Sequence, residues 1–230
     1  MVVVAMTASV PTRQGRPPAT DHGSIERAAF ALFAERGFDA TTMDDIAAAA
    51  GVGRRTLFRY YPSKNDIPWG RFDASLVRLR EHLASMPHTV PVYRAVHAAV
   101  LAFNHLDPEA IPQHRQRMRL LLTTPALQAH SVLRYAQWRG TIAAYVASRY
   151  GLSETDLLPR TVGEVTLAIS LSAYEQWLSE EDQPLDRYLD AALDGVVAYL
   201  SPGSERRRRS TVSTVDGGPT RFSGPGSLDT

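Results

Sequence analysis

The sequence predicts an all-α protein, with a three-helix unit of helix-turn-helix layout near the N-terminus followed by a larger helical domain. Three observations predict it. Apolar residues recur at i, i+3, i+4 in segment after segment, and no stretch alternates as a half-buried strand would. Proline stands at plausible first helical positions in Asp107-Pro108, Thr124-Pro125 and Gln183-Pro184. Between Thr41 and Ile67, two short helical patterns flank a tight turn at Gly51.

Residues 1–20 are rich in Pro, Thr and Gly, so they have little to bury. Arg13, Gly15, Arg16 and Pro17 form a small basic arm, of a kind that enters a minor groove beside a DNA site or stays a solvated tail. The first helix carries Ile25, Ala28, Ala29, Leu32 and Phe33 on one stripe and stops at Gly37. Thr42 and Asp45 make a capping box, and Met43, Ile46, Ala47 and Ala50 share the next apolar face. Gly51 can take the left-handed conformation that ends this helix, and Val52 plugs inward. A third helix then runs from about Arg54 to Tyr60, with Leu57 and Tyr61 on its buried side.

The opposite face of that third helix collects Arg54, Arg55 and Arg59 around Phe58. Three guanidiniums on so short a helix repel one another, and an anion offsets the repulsion. A guanidinium forks well onto phosphate or onto the O6/N7 edge of guanine. Charge is placed here rather than spread: residues 51–71 hold five basic side chains and one acidic, whereas the 230-residue chain is only +1. Lys64 is the only lysine. It follows Ser63, which pairs with Asp66 in a second capping box, so it is expected at a helix N-terminus where free N–H groups bind phosphate.

The stretch ALFAERGFDATTMDDIAAAAGVGRRTLFRYYPSK, within Ile25 to Ile67, resembles the DNA-binding segment of TetR-family (tetracycline-repressor type) transcriptional regulators. The resemblance implies a DNA reader over 21–67 and a helical effector-binding and dimerisation domain over 68–200. It implies a homodimeric cytoplasmic repressor on a palindromic double-stranded DNA operator. By position, Thr42 would hold a phosphate, Arg54, Arg55, Thr56 and Arg59 would lie in or along the major groove, and Tyr60 and Lys64 would clamp the backbone. Three positions depart from the family pattern: Gly53 where a capping Ser or Thr is common, Arg55 where a small residue is common, and Phe58 where Tyr is common. RRTLFRYYPSKNDIPWG, LAFNHLD, QHRQRMRLLL and YAQWRG further resemble the mycofactocin-system regulators of actinobacteria, which implies a hydrophobic effector, a long-chain acyl-CoA.

A fourth helix is expected over 64–84, kinked or delayed by Pro68, and further helices over 91–106, 113–123, 125–150, 157–180 and 184–200. In the last, Leu185, Tyr188, Leu189, Ala192, Leu193, Val196, Val197 and Leu200 keep strict helical spacing. The helix before it offers Val162, Val165, Ala168, Ile169, Ser172 and Ala173 for close approach, so the two should pair antiparallel. The family resemblance implies that this pair meets its copy in a four-helix interface; the alternative is that both stripes face the monomer's own core. Residues 201–230 have little to bury, and the run Arg206 to Arg209 reads as solvated.

Candidate effector-pocket residues are the large side chains on helical stripes: Phe103, Met118, Leu122, Tyr135, Trp138, Tyr174 and Trp177. Arg115, Arg117 and Arg119 spread over more than one helix face. A diphosphate-bearing ligand nevertheless needs cations at a pocket mouth, and Arg115 or Arg119, with Arg134 or Arg139, can supply them.

Enzyme chemistry finds no support. The seven histidines form no HExxH pair, and neither GxSxG nor a Walker loop occurs. Gly51-Val52-Gly53 follows a helical IAAAA run rather than a strand, so it is not a dinucleotide loop. No cysteine is present to make a disulfide or a thiolate metal site, and no cofactor is implied. MVVVAM lacks a basic leader and reads as neither signal nor anchor, and no run reaches the ~20 apolar residues of a membrane span. The competing non-enzymatic reading is a sensor or protein adaptor of the same shape without a specific operator.

Overall fold

A computed structural model describes residues 22–180 and 183–201, and every regular element among them is helical. The basic arm with Arg13 and Arg16, and the run Arg206 to Arg209, lie outside the described residues. The α-helices are α1 His22–Arg36, α2 Met43–Ala49, α3 Arg54–Tyr60, α4 Phe72–Ser85, α5 Val92–Asn104, α6 Ile111–Thr123, α7 Pro125–Tyr150, α8 Leu157–Ser179 and α9 Leu185–Leu200.

The expected helix over 64–84 is divided. Lys64–Trp69 forms a 3-10 helix, Gly70 closes it at φ 53°, and α4 starts at Phe72. Pro68 is the reason, since its ring collides with the carbonyl four residues back if α geometry continues. Gly70 suits this turn because its φ is positive, and a Cβ there would press to 3.0 Å from Glu26 Oε1. A second 3-10 turn, Pro108–Ala110, precedes α6, so α5 ends earlier than expected and α6 begins sooner. Pro125 starts α7 as expected, whereas Pro184 is the N-cap of α9 rather than its first helical residue.

Packing gathers the described residues into two units: those up to Glu81 with 106–141, and 82–105 with those from Ile142 onward. The first unit therefore holds α6 and the beginning of α7 together with the helix-turn-helix. Its core includes Ile25, Phe30, Phe33, Ile46, Leu57 and Ile67, all buried. Each such side chain stabilises the fold by about 1.5–3 kcal/mol relative to exposure.

In the second unit α9 packs against both α8 and α5. The inner face of α8 is Gly163, Thr166, Leu167, Ser170, Ala173, Tyr174 and Trp177, and that of α9 is Leu185, Leu189 and Leu193. The α8 stripe expected from spacing is mostly a different face. Only Ala173 of that set is buried, while Val165, Ala168 and Ser172 are exposed. On α9, Val197 and Leu200 are also exposed.

Candidate nucleic-acid interface

The candidate DNA-facing surface is assembled from local hydrogen bonds. Thr42 N-caps α2: its Oγ1 accepts from the Asp45 N–H at 3.1 Å, while Asp45 Oδ2 accepts from the Thr42 N–H at 2.9 Å and from its hydroxyl at 2.6 Å. The Thr42 hydroxyl and N–H hold the Asp45 carboxyl below the ordinary range. The Thr42 hydroxyl proton, expected on a phosphate, is thus committed to Asp45.

At the other end of α2, Gly51 adopts φ 66°, its N–H reaches the Ala48 carbonyl at 3.1 Å, and the Val52 N–H reaches Ala47 at 2.9 Å. That is a complete Schellman stop, and it aims the chain into α3. Gly53 caps α3 with no side-chain bond, as its lack of a hydroxyl requires. Leu57 is fully buried, and Arg54, Arg55 and Arg59 are all exposed. Arg54 sits 3.3 Å from Asp44 Oδ2 and over the Phe58 ring, and Arg59 lies over the Tyr60 ring. Thr56 and Tyr60 are half-buried on the flanks of the same helix.

Lys64 opens the 3-10 helix after the expected Ser63–Asp66 capping box, and its ammonium turns inward to donate to the carbonyls of Phe38 (2.6 Å), Thr41 (2.8 Å) and Asp39 (3.3 Å), over the Phe38 ring. An ammonium has three N–H donors, and three carbonyls lie around it. Burial pushes its pKa down against the opposing pull of Asp39. The side chain ties the α1–α2 loop to the segment after α3.

Beneath the arginine face runs a polar network that the spacing did not reveal. The Tyr61 hydroxyl donates to Glu26 Oε1 at 2.9 Å, His22 Nδ1 lies 3.0 Å from that hydroxyl, and Arg117 of α6 donates to Glu26 Oε2. Gln116 donates to the Phe30 carbonyl at 2.9 Å. His114, on the same helix, is pushed down to about 4 by burial and by the Arg117 charge. A second tie joins the 3-10 helix to α7. Asp66 accepts from the Ser63 hydroxyl (2.7 Å) and N–H (3.0 Å), and His130 and Arg134 of α7 stand 3.1 and 3.5 Å away. Burial works to raise the Asp66 pKa, but the Ser63 and His130 contacts outweigh it and leave it lowered. One signal was present in sequence: Glu26 is a carboxylate four residues before Phe30, inside an apolar stripe.

The candidate effector residues divide between the units. Arg115, Met118, Arg119, Leu122, Tyr135 and Trp138 belong to the first, and Phe103, Tyr174 and Trp177 to the second. Met118, Trp138, Tyr174 and Trp177 are buried, and Arg119 is exposed. Tyr174 donates to Asn104 at 2.7 Å, an internal bond within the second unit. A cavity of about 460 Å³ does exist in the second unit, but none of these nine residues lines it.

Comparison with known proteins matches this architecture. Residues 25–67 fit the family model "Bacterial regulatory proteins, tetR family", and residues 90–201 fit "MftR C-terminal domain". A candidate mycofactocin biosynthesis transcriptional regulator of Mycobacterium tuberculosis, MftR, is 47% identical over 189 residues, covering 82% of this chain and 96% of that one. Among solved structures, SmeT, repressor of a Stenotrophomonas maltophilia multidrug efflux pump, shares the fold at TM-score 0.55 and 20% identity, over 81% of this chain and 93% of that one. Thermus thermophilus FadR, a repressor in complex with lauroyl-CoA, does so at TM-score 0.51 and 21% identity, over 90% and 100%. No helix among the described residues is long and apolar enough to cross a membrane. The chain belongs to the TetR family of DNA-binding transcriptional regulators and is of the MftR type in its C-terminal domain.

Proposed function

We propose that the chain is a cytoplasmic, homodimeric repressor that binds a palindromic double-stranded DNA operator and is released by a hydrophobic effector, a long-chain acyl-CoA. The carrying observation is the exposed trio Arg54, Arg55 and Arg59 on a helix whose other side is locked by Leu57 and Tyr61. Rigid presentation matters because a guanidinium reads a base edge only when its fork is aimed. In this reading Arg54, Arg55, Thr56, Arg59 and Tyr60 meet DNA, with Thr42 at the edge, and Lys64 keeps the loop that supports them.

Dimerisation is supported by the outward apolar positions Val165 and Ala168 on α8 and Val197 and Leu200 on α9, since one short recognition helix seldom binds tightly alone. The Glu26–Arg117 and Asp66–His130 ties are the groups through which movement of α6 or α7 would reach α3. The test is fluorescence anisotropy on DNA from the chain's own upstream region, at fixed salt, with and without palmitoyl-CoA. Tight binding that palmitoyl-CoA reverses supports the whole reading. Tight binding that ignores it keeps the regulator and removes the effector, while binding without sequence preference favours a sensor or adaptor.

A further inference from the structure

The cavity of the second unit lies among residues 88–91, the start of α5, the end of α7, the start of α8 and α9. Its volume, about 460 Å³, falls in the range of small-molecule sites. Val92, Val96, Val146, Leu158, Val162 and Leu193 supply apolar wall. Of the polar side chains that also line it, two are matched within the protein. The Thr166 hydroxyl donates to the Val162 carbonyl at 2.6 Å, and His97 is held 2.7 Å from Asp190, with Asp194 at 3.7 Å.

Arg149 is different. Its guanidinium donates to the carbonyls of His88 (3.0 Å) and Val90 (2.7 Å) and to the Tyr145 hydroxyl, all neutral groups. Among the described residues no carboxylate lies within ion-pair distance of it, unlike Arg117 and Arg134. A half-buried guanidinium at an apolar wall, met only by neutral acceptors, is an incompletely matched charge, and a planar anion gives it shorter and stronger bonds.

We infer that this cavity takes the hydrocarbon tail of an anionic amphiphile, whose acidic head binds Arg149: a free fatty acid, or an acyl thioester of a phosphate-bearing carrier. The inference deepens the effector part of the proposed function and rests on that reading only for its effect on DNA. Binding would draw Arg149 from the carbonyls of His88 and Val90, releasing residues 88–91. The tail would press Leu158 and Val162 of α8 against Leu193 of α9, the two helices proposed to carry the dimer.

The experiment is calorimetric titration of the full chain with palmitate, palmitoyl-CoA and methyl palmitate, for wild type, Arg149→Gln, Val162→Trp and Leu158→Trp. Operator anisotropy runs in parallel. Only variants keeping the wild-type helical circular dichroism are read; Leu158, half exposed, is the more tolerant site should Val162→Trp misfold. The expected result is that an anionic ligand binds wild type about tenfold or more tighter than methyl palmitate, a margin that Arg149→Gln erases. Either tryptophan should abolish binding of all three. Palmitate or palmitoyl-CoA as the tighter ligand identifies the source of the anion. Undiminished binding to both tryptophan variants would overturn the cavity assignment while leaving the effector reading intact. Binding at the cavity without operator release would leave the site and overturn the effector reading; no binding of either anion to wild type would overturn both.

Discussion

The two packing units hold themselves together in different ways. In the first, directional polar bonds cross between elements: Glu26 with Tyr61 and Arg117, Asp66 with Ser63, His130 and Arg134, and Lys64 with three loop carbonyls. In the second, α5, α8 and α9 meet around a cavity over Ala, Val and Leu with Tyr174 and Trp177, and the polar bonds between elements are fewer: His97 with Asp190, Tyr174 with Asn104, and Arg149 with the carbonyls of His88 and Val90. Hydrogen bonds to charged groups fix angles as well as distances, whereas apolar contacts tolerate sliding. A surface that reads base edges requires the former, and a domain that takes up a ligand requires the latter.

The comparison breaks most severely at Glu26. Glu26→Ala removes the carboxylate that pairs with the Arg117 guanidinium in a site only 7% exposed, so stability in urea should fall by about 3–5 kcal/mol. A loss under about 1 kcal/mol would mean that the network is not what secures the first unit. The matching test of the second unit is Leu189→Ala, whose cavity should cost about 2–5 kcal/mol in the same titration.

Acid should strike the first unit through His114. Its pKa is pushed from 6.5 in the unfolded chain to about 4 when folded, so the unfolded state binds the proton more readily. Stability is therefore unaffected above the unfolded value and falls as pH drops from about 6.5 toward 4, by on the order of 2 kcal/mol at pH 4.5. Denaturation midpoints of wild type and His114→Gln should converge across that window; parallel curves would assign the acid sensitivity elsewhere.

On DNA, Arg55→Ala should lose about 1–3 kcal/mol and relax preference at one base pair. Lys64→Ala should leave the salt dependence of binding nearly unchanged and instead lower thermal stability, because its donors serve Phe38 and Thr41. A salt slope reduced by about one in Lys64→Ala would instead make it a phosphate contact. The smallest effect belongs to Gly53→Ser. A Cβ at this site meets nothing within 4 Å, and a hydroxyl at the α3 N-cap should add a few tenths of a kcal/mol.

Helix existence was legible throughout because period-3.6 stripes, capping boxes and glycine stops are local codes. The Thr42–Asp45 box, the Gly51 stop and the burial of Leu57 and Tyr61 stand where the spacing put them. The helix-facing choice on α8 was not legible. Val165 and Ala168 are as apolar as their neighbours, and only the positions of α9 and α5 decide which stripe turns inward. The nine candidate effector residues do not line the cavity of the second unit, and a large side chain on a stripe fills a core as readily as it lines a cavity. The apolar part of the cavity wall is mostly valine, a side chain that local spacing cannot tell from ordinary core.

By itself, the sequence determined the all-helical class, the order and approximate ends of the helices, and the arginine face of α3, each of which depends on neighbours within a few turns of chain. Tertiary structure alone decided that Lys64 turns to Phe38 and Thr41, that Glu26 meets Arg117 across 91 residues, and that Arg149 faces an apolar cavity with no carboxylate partner among the described residues. Those are contacts between groups far apart in the chain, and a charged side chain's role is set by the acceptor that folding brings to it, which no local pattern encodes.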